Sequence, residues 1–203
     1  MARAFGEIAE RLRRSTVEVR MRGANAGGSG VIATPDGKIV TNAHVARGGA
    51  ATVRLWDGRE LPATLLERDA RRDLATLKVE AGGLPAATFG DSNALRVGEL
   101  VMAIGNPMGF IGALTTGVVH ALGSLAGFGR QSWVLADVRL APGNSGGPLV
   151  DGDGLVVGTV FAAVTNSPPG DPGGFAVPNS VVAGEIAHAR ASSGAVSSGT
   201  CTG

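Results

Sequence analysis

Apolar residues in the first fourteen positions recur at helical spacing. One face of such a helix carries the apolar residues Phe5, Ile8, Ala9 and Leu12, and Arg and Glu residues occupy the rest. We therefore predict a short helix over residues 1–14 that packs on the rest of the domain. The charges interrupt any apolar run of the length that a secretory signal needs, so the segment is not predicted to be one.

From Ser15 onward the spacing changes to short runs that are typical of β-strands and are separated by turn residues. Thr16–Met21, for example, alternates polar and apolar residues as a half-buried strand does. The predicted strands of the first half are 16–21, 30–33, 38–41, 52–55, 61–67 and 74–79. Six such strands are enough for one small antiparallel barrel, which we place over residues 15–80.

A segment rich in Gly and Pro, residues 81–99, is the predicted connection to a second half over residues 100–190. The predicted strands there are 100–104, 116–121, 133–136, 147–150, 156–164 and 175–177. Residues 180–190 return to helical spacing, and residues 191–203 are predicted to form a flexible tail. The sequence thus predicts an all-β fold of two six-stranded antiparallel β-barrels with a short N-terminal and a C-terminal helix.

Composition narrows the function classes. The chain has 203 residues, of which 44% are hydrophobic and 17% are charged, as in a folded globular protein. A net charge of +1 and the lack of any run of about 20 apolar residues argue against nucleic acid as a partner and against a membrane span. The single cysteine, Cys201, excludes an internal disulfide and a Cys-rich metal site, so we expect an exposed free thiol.

The strongest chemical signal is the heptapeptide Gly143–Leu149, which reads Gly-Asn-Ser-Gly-Gly-Pro-Leu. A serine hydroxyl is a weak nucleophile, so an enzyme must hold it next to a base and beside donors for the oxyanion. Glycines allow a sharp turn that exposes the Ser145 hydroxyl and lets the backbone N–H groups of Gly143 and Ser145 point at one spot. An ordinary glycine-rich turn would not require a serine between Asn and Gly-Gly-Pro.

A general base would have to be one of three histidines. His44 directly follows the predicted strand 38–41 and is followed by small residues, so it would be held at an open strand end. His120 lies in an apolar strand, and His188 lies on the predicted closing helix. We therefore predict His44 as the base.

The carboxylate that would orient His44 is less clearly marked. Asp73 stands just before the predicted strand 74–79, which places it at a strand end. An Asp in that position is usually a turn residue, and Asp69 and Asp57 compete with it. Asp73 is chosen mainly because of its order in the chain.

His, then Asp, then Gly-Asn-Ser-Gly-Gly-Pro is the order of the trypsin/chymotrypsin clan. Thr-Asn-Ala-His-Val around His44, Arg-Asp-Leu-Ala around Asp73 and Gly-Asn-Pro in the second half further resemble the HtrA/DegP-type bacterial proteases. The resemblance covers residues 15–190. It implies an active site in the cleft between two barrels, with Ser145 as nucleophile, His44 as general base and acid, and Asp73 as its orienter. It also implies an oxyanion hole formed by the N–H groups of Gly143 and Ser145.

The resemblance also locates a substrate pocket, although Arg139 stands where trypsin has the Asp that selects basic side chains. The predicted pocket residues are Ala141, Pro142, Ala162, Ala163, Gly174, Phe175 and Ala176. Such small, apolar walls favour Val, Ala or Leu before the cleaved bond. Members of this family usually continue into PDZ domains. Because this chain ends soon after the predicted closing helix, we expect a protease domain without a PDZ domain.

The predicted function is therefore a serine endopeptidase that hydrolyses unfolded polypeptides through an acyl-enzyme, with no metal or other cofactor. Two alternatives stay open, a catalytically idle, chaperone-like peptide binder and an esterase on the same fold. The sequence also leaves open a homo-oligomer. As written, the chain would be cytoplasmic, whereas the resemblance points to the periplasm or the cell exterior if the chain was trimmed.

Overall fold

The computed structural model describes residues 2–23, 27–124, 132–161 and 174–178, with only the backbone described for residues 2–4 and 174–178. The first half contains α1 (Ala2–Ser15), β1 (Thr16–Met21), β2 (Gly27–Ile32), β3 (Lys38–Thr41), β4 (Ala51–Arg54), β5 (Glu60–Asp69) and β6 (Leu74–Val79). The second half contains β7 (Leu100–Gly105), β8 (Ala113–Ser124), β9 (Ser132–Ala136), β10 (Pro148–Val150), β11 (Val156–Phe161) and β12 (Gly174–Pro178). Short 3₁₀ helices span Ser92–Ala94 and Pro107–Gly109.

The twelve strands form two closed antiparallel barrels of six strands each. The order around the first barrel is β1-β2-β3-β6-β5-β4, and pairing of β4 with β1 closes it. The order around the second barrel is β10-β11-β12-β9-β8-β7, and pairing of β7 with β10 closes it. The predicted all-β double barrel is therefore confirmed.

Each barrel has its own apolar core, and a third cluster joins the two barrels. Alternate inward-facing residues such as Val17 and Leu77 fill the first barrel, and Val134 and Leu149 belong to the core of the second. The central cluster combines Val31, Ala33, Val40 and Leu74 of the first half with Met102, Ile104, Trp133, Val150 and Val156 of the second. The strands β3, β6 and β10, which lie next to the predicted site residues in the chain, all contribute side chains to this cluster.

Helix α1 packs along its predicted apolar face. Leu12 is 2% exposed and belongs to the central cluster, against which Phe5 and Ile8 also pack. Near the end of the helix, the guanidinium groups of Arg13 and Arg14 lie 5.6 and 4.9 Å from the centre of the Trp56 ring. The helix thus contacts the first barrel and the cluster between the barrels. No helix in the described ranges is long and apolar enough to cross a membrane.

Strand β2 begins three residues earlier than the sequence predicted. β2 starts at Gly27 rather than at residue 30, because Gly27, Gly28 and Ser29 pair with β1. This glycine-rich run has no apolar alternation, so only the partner strand reveals it as a strand. The predicted C-terminal helix 180–190 and the tail 191–203, with His188 and Cys201, lie outside the described residues.

Candidate active site

The structure brings His44 and Asp73 into direct contact. β3 and β6 are paired neighbours, so the loop after β3 and the loop before β6 lie side by side. Asp73 accepts the His44 backbone N–H at Oδ1 over 2.8 Å, and its Oδ2 lies 2.7 Å from His44 Nδ1. Because an ionised carboxylate can only accept, this contact assigns the shared proton to Nδ1 and leaves Nε2 free as an acceptor.

The backbone of Asp73 is held in an uncommon conformation. Its φ is +55°, a left-handed value that is rare outside glycine, and Met108 is the other such non-glycine case among the described residues. The carbonyl oxygen of Asp73 accepts hydrogen bonds from Ala43 N at 3.1 Å and Asn42 Nδ2 at 3.0 Å. The segment that carries His44 therefore fixes both ends of Asp73, its carboxylate and its carbonyl.

The two competing carboxylates serve other contacts. Asp69 Oδ1 accepts the backbone N–H groups of Arg71 at 2.8 Å and Arg72 at 3.1 Å, which closes the turn before β6. Asp57 Oδ2 pairs with Arg59 Nε at 2.8 Å in the turn between β4 and β5. Of the other histidines, His120 on β8 is 53% exposed in its side chain, and its Nε2 lies 3.9 Å from Oδ2 of Asp137. The geometry therefore favours Asp73 over its competitors.

The loop that carries Ser145 follows β9 and leads into β10. Two tight turns shape it, with hydrogen bonds of 3.0 Å from Asn144 N to the Ala141 carbonyl and from Gly147 N to the Asn144 carbonyl. Gly146 has a φ of +87°, and a Cβ there would collide with the Ser29 carbonyl oxygen, so only glycine fits. Glycine at position 146 thus permits the sharp turn that the sequence predicted at this loop.

Ser145 as a whole residue is buried, with 7% of its surface exposed. The reason is that its loop lies between two strands. Ser29 of β2 donates its backbone N–H to the Ser145 carbonyl at 2.7 Å, and Gly146 donates its own to the Val160 carbonyl of β11 at 2.9 Å. The loop is thereby bonded to both barrels.

The segment of His44 and the loop of Ser145 meet at Gly28. A Cβ on this residue would lie 2.6 Å from Cγ2 of Val45, the residue after His44, and 2.8 Å from the Ser145 carbonyl oxygen. Both segments therefore touch the same point of β2, where no side chain could be accommodated. The segment that directly follows His44 and the loop of Ser145 thus meet at the junction between the two barrels.

Phe161, at the end of β11, is a contact of His44 that the sequence analysis missed. Its ring centre lies 5.4 Å from that of His44 with an interplanar angle of 85°, and 5.6 Å from that of Trp133 at 66°. Both are edge-to-face arrangements, the geometry that aromatic pairs prefer. The second barrel thus contributes the ring against which the imidazole packs. Only its position beside the predicted pocket residues could have drawn attention to it.

The predicted oxyanion and pocket residues are only partly described. The Gly143 carbonyl accepts a 2.6 Å hydrogen bond from Ser29 Oγ. Ala141 is half-buried and Pro142 is exposed. Strand β12, which pairs with β11 and β9, contains Gly174, Phe175 and Ala176, and the side chains of these residues are outside the description. Ala162 and Ala163 lie outside the described residues. Within the part of the chain described, no group of three or more His, Cys, Asp or Glu residues could hold a metal ion.

Residues 28–158 match the family described as the trypsin-like peptidase domain. A probable periplasmic serine endoprotease, DegP-like, of Pseudomonas fulva is 46% identical over 182 residues, which are 89% of this chain and 38% of the relative. The Chlamydia pneumoniae protein of the same description is 41% identical over 157 residues, 75% of this chain and 32% of that one. This chain thus spans about a third of the length of these relatives.

Solved structures agree with the sequence relatives. The HtrA-type protease AlgW with a tripeptide superposes with a TM-score of 0.84 at 33% identity, over 90% of this chain and 62% of that one. AlgW with a decapeptide gives 0.81 at 29% identity, over 90% and 66%. The chain therefore belongs to the trypsin-like peptidase family. Within that class, these similarities confirm the predicted resemblance to the HtrA/DegP-type serine proteases.

Proposed function

We propose that this chain is a serine endopeptidase that cleaves polypeptides with Ser145 as nucleophile, His44 as general base and acid, and Asp73 as the orienting carboxylate. The observation that carries the proposal is the pair of hydrogen bonds from His44, through its backbone N–H and its ring, to one carboxylate at 2.8 and 2.7 Å. Such a bidentate contact fixes the ring orientation and the tautomer that leave Nε2 ready to accept a proton.

The reaction proceeds in two halves. The Ser145 hydroxyl attacks the carbonyl carbon of the scissile bond while His44 Nε2 takes its proton, and Asp73 stabilises the imidazolium without becoming protonated. The oxygen of the tetrahedral intermediate accepts from the N–H groups of Gly143 and Ser145. Collapse breaks the C–N bond, and His44 gives its proton to the leaving amine. Water, deprotonated by the same imidazole, then attacks the acyl carbon. The C–O bond to Ser145 Oγ breaks, His44 returns the proton to this oxygen, and the acid is released.

Polypeptides are the proposed substrates because the relatives are named endoproteases and AlgW is described with a tripeptide and a decapeptide. We further propose that the predicted pocket residues accept a small aliphatic side chain before the cleaved bond. They are Ala141, Pro142, Ala162, Ala163, Gly174, Phe175 and Ala176, and none of them is charged. Arg139, six residues before Ser145, is exposed and offers no acidic partner to a basic substrate side chain.

The experiment that tests the proposed function compares the wild-type chain with Ser145→Ala on unfolded casein. The variant should fold normally, because it removes one oxygen from a loop held by backbone hydrogen bonds, and should lose turnover almost completely. Retention of a tenth of the wild-type turnover would show that Ser145 is not the nucleophile. A wild-type chain that binds casein without cleaving it would instead favour the idle, chaperone-like binder.

A further inference from the structure

Ser29 of β2 belongs to the first barrel, yet within the described part of the chain its side chain bonds to residues of the second. It is 0% exposed. Its Oγ donates to the Gly143 carbonyl at 2.6 Å and accepts from Asn106 N at 2.8 Å. Asn106 Nδ2 lies 3.4 Å from the same oxygen. Since a backbone N–H can only donate, the Asn106 contact leaves the Ser29 hydroxyl proton for Gly143.

The backbone of Ser29 makes the second link. Its N–H donates to the Ser145 carbonyl at 2.7 Å, and its own carbonyl accepts from Thr41 Oγ1 at 2.6 Å. Thr41 is the last residue of β3, three positions before His44. Ser29 therefore lies between the strand that leads to the proposed base and the loop that carries the proposed nucleophile.

We propose that Ser29 is a positioning residue that fixes the oxyanion-binding geometry of the loop 143–145. The two residues proposed to donate to the oxyanion are Gly143 and Ser145, and the carbonyl oxygens of both are bonded to Ser29. Each held carbonyl is attached to the same Cα as the proposed donor N–H, so its hydrogen bond limits the rotation of the backbone at that residue. Donors that are oriented in advance stabilise a developing oxyanion best. This proposal rests on the proposed function.

The tight fit around the loop supports a role in alignment. A Cβ on Gly143 would lie 2.8 Å from the Asn106 carbonyl oxygen, and one on Gly105 would lie 3.1 Å from Ser29 Oγ. Asn106 is itself anchored, since its Oδ1 accepts Gly112 N at 2.9 Å. The hydroxyl of Ser29 thus lies in a close-packed site between two anchored segments. Without the Ser29 hydroxyl, the Gly143 carbonyl would lose its buried donor. The cost of the unpaired acceptor would favour rearrangement of the loop.

The matched control is Ser15, at the end of α1. Ser15 is 2% exposed, and its Oγ donates to the Leu12 carbonyl at 3.0 Å, so Ser15→Ala also deletes a buried serine-to-carbonyl hydrogen bond, but away from the loop. Both alanine variants should lower the melting temperature to a similar extent. Only Ser29→Ala should lower kcat, by about ten- to a hundredfold with KM within about twofold, since it disturbs transition-state contacts indirectly. Ser29→Cys, which retains a weak donor, should fall between.

Hydrogen exchange followed by mass spectrometry provides a readout that does not depend on activity. In Ser29→Ala the amides of the segment 141–147 should exchange at least about tenfold faster than in wild type, and in Ser15→Ala they should not. Unchanged exchange in Ser29→Ala, or faster exchange with unchanged kcat in an active enzyme, would overturn the proposal. If wild type neither cleaves casein nor differs from Ser145→Ala, faster exchange still supports the role of Ser29 in holding the loop, and the failure belongs to the proposed function.

Discussion

At the residue scale, the Asp73 carboxylate offers the sharpest mutational test. In Asp73→Asn the amide oxygen can still accept the His44 backbone N–H, which places an NH₂ group opposite Nδ1. The ring must then accept at Nδ1 and carry its proton on Nε2, where it cannot take a proton from Ser145. By analogy with the general triad we expect kcat on a peptide substrate to fall about 10⁴-fold with the melting temperature little changed.

The control for this prediction is Asp69→Asn. Asp69 accepts two backbone N–H groups through Oδ1, and an amide oxygen can do the same, so kcat should stay close to wild type. If Asp69→Asn lost most of the turnover and Asp73→Asn kept it, the assignment of the orienting carboxylate would be reversed.

Phe161 gives a second prediction at this scale. Phe161→Leu removes the ring that packs edge-to-face against His44 while keeping an apolar side chain on β11. Aromatic pairs of this kind contribute about 0.5–1.5 kcal/mol beyond burial, so kcat should fall about two- to tenfold as the imidazole gains freedom. Phe89→Leu is the matched control, because Phe89 packs against the same central cluster from the connection between the barrels. Equal losses of kcat in the two variants would contradict a specific role for Phe161.

These residues differ in how far the sequence could reveal them. His44 and Ser145 lie in local sequence motifs that indicate a general base and a nucleophile. Asp73 was preferred over Asp69 mainly because of its order in the chain. Ser29 lies in Gly-Gly-Ser-Gly, where closely spaced glycines indicate a close backbone approach, but its partners in the second barrel are 77 to 116 positions away in the chain. Phe161 gave no local signal, because its contact with His44 exists only once the barrels are packed together.

At the element scale, alternation of apolar residues predicted the order of the strands well. β3 and β6 match their predicted bounds, since both are short, largely buried runs that end at clear breaks. β8 is longer than predicted, Ala113–Ser124 rather than 116–121, because residues at its start pair with β7 and residues at its end pair with β9. Pairing between strands that are distant in the chain cannot be predicted from the local alternation of apolar and polar residues.

Helix α1 supplies a prediction about stability. Leu12 is 2% exposed in the cluster between the barrels, so Leu12→Ala should leave a cavity and lower the free energy of unfolding by about 2–5 kcal/mol. Leu66→Ala, at a side chain that is 50% exposed on β5, should change it by no more than about 0.5 kcal/mol. Urea denaturation of the two variants checks this. Similar midpoints for both would mean that the helix does not anchor the domain.

At the scale of the whole molecule, the proposed site is divided between the barrels. His44 and Asp73 come from the first, while Ser145 and Phe161 come from the second. The central cluster and the hydrogen bonds of Ser29 join the parts across the junction. Activity should therefore require both barrels.

The proposed pocket also determines the expected substrate preference. A Lys or Arg side chain in the proposed apolar pocket would lose its water without gaining a partner, at a cost of several kcal/mol, whereas an aliphatic one would gain about 1–3 kcal/mol. We expect cleavage after Val, Ala or Leu to exceed cleavage after Lys or Arg by at least about a hundredfold. Sequencing the fragments of an unfolded-protein digest checks this. Cuts mainly after basic residues would show that other residues form the pocket.

The most direct test of the central claim is labelling with a fluorophosphonate probe. Such probes react with a serine hydroxyl that is activated by an adjacent base, whatever the natural substrate is. The folded wild-type chain should be labelled on Ser145, as located by peptide mass spectrometry, with His44→Ala labelled far more slowly and Ser145→Ala not at all. Folded wild-type protein that stays unlabelled at Ser145, or that is labelled equally well without His44, would contradict the account.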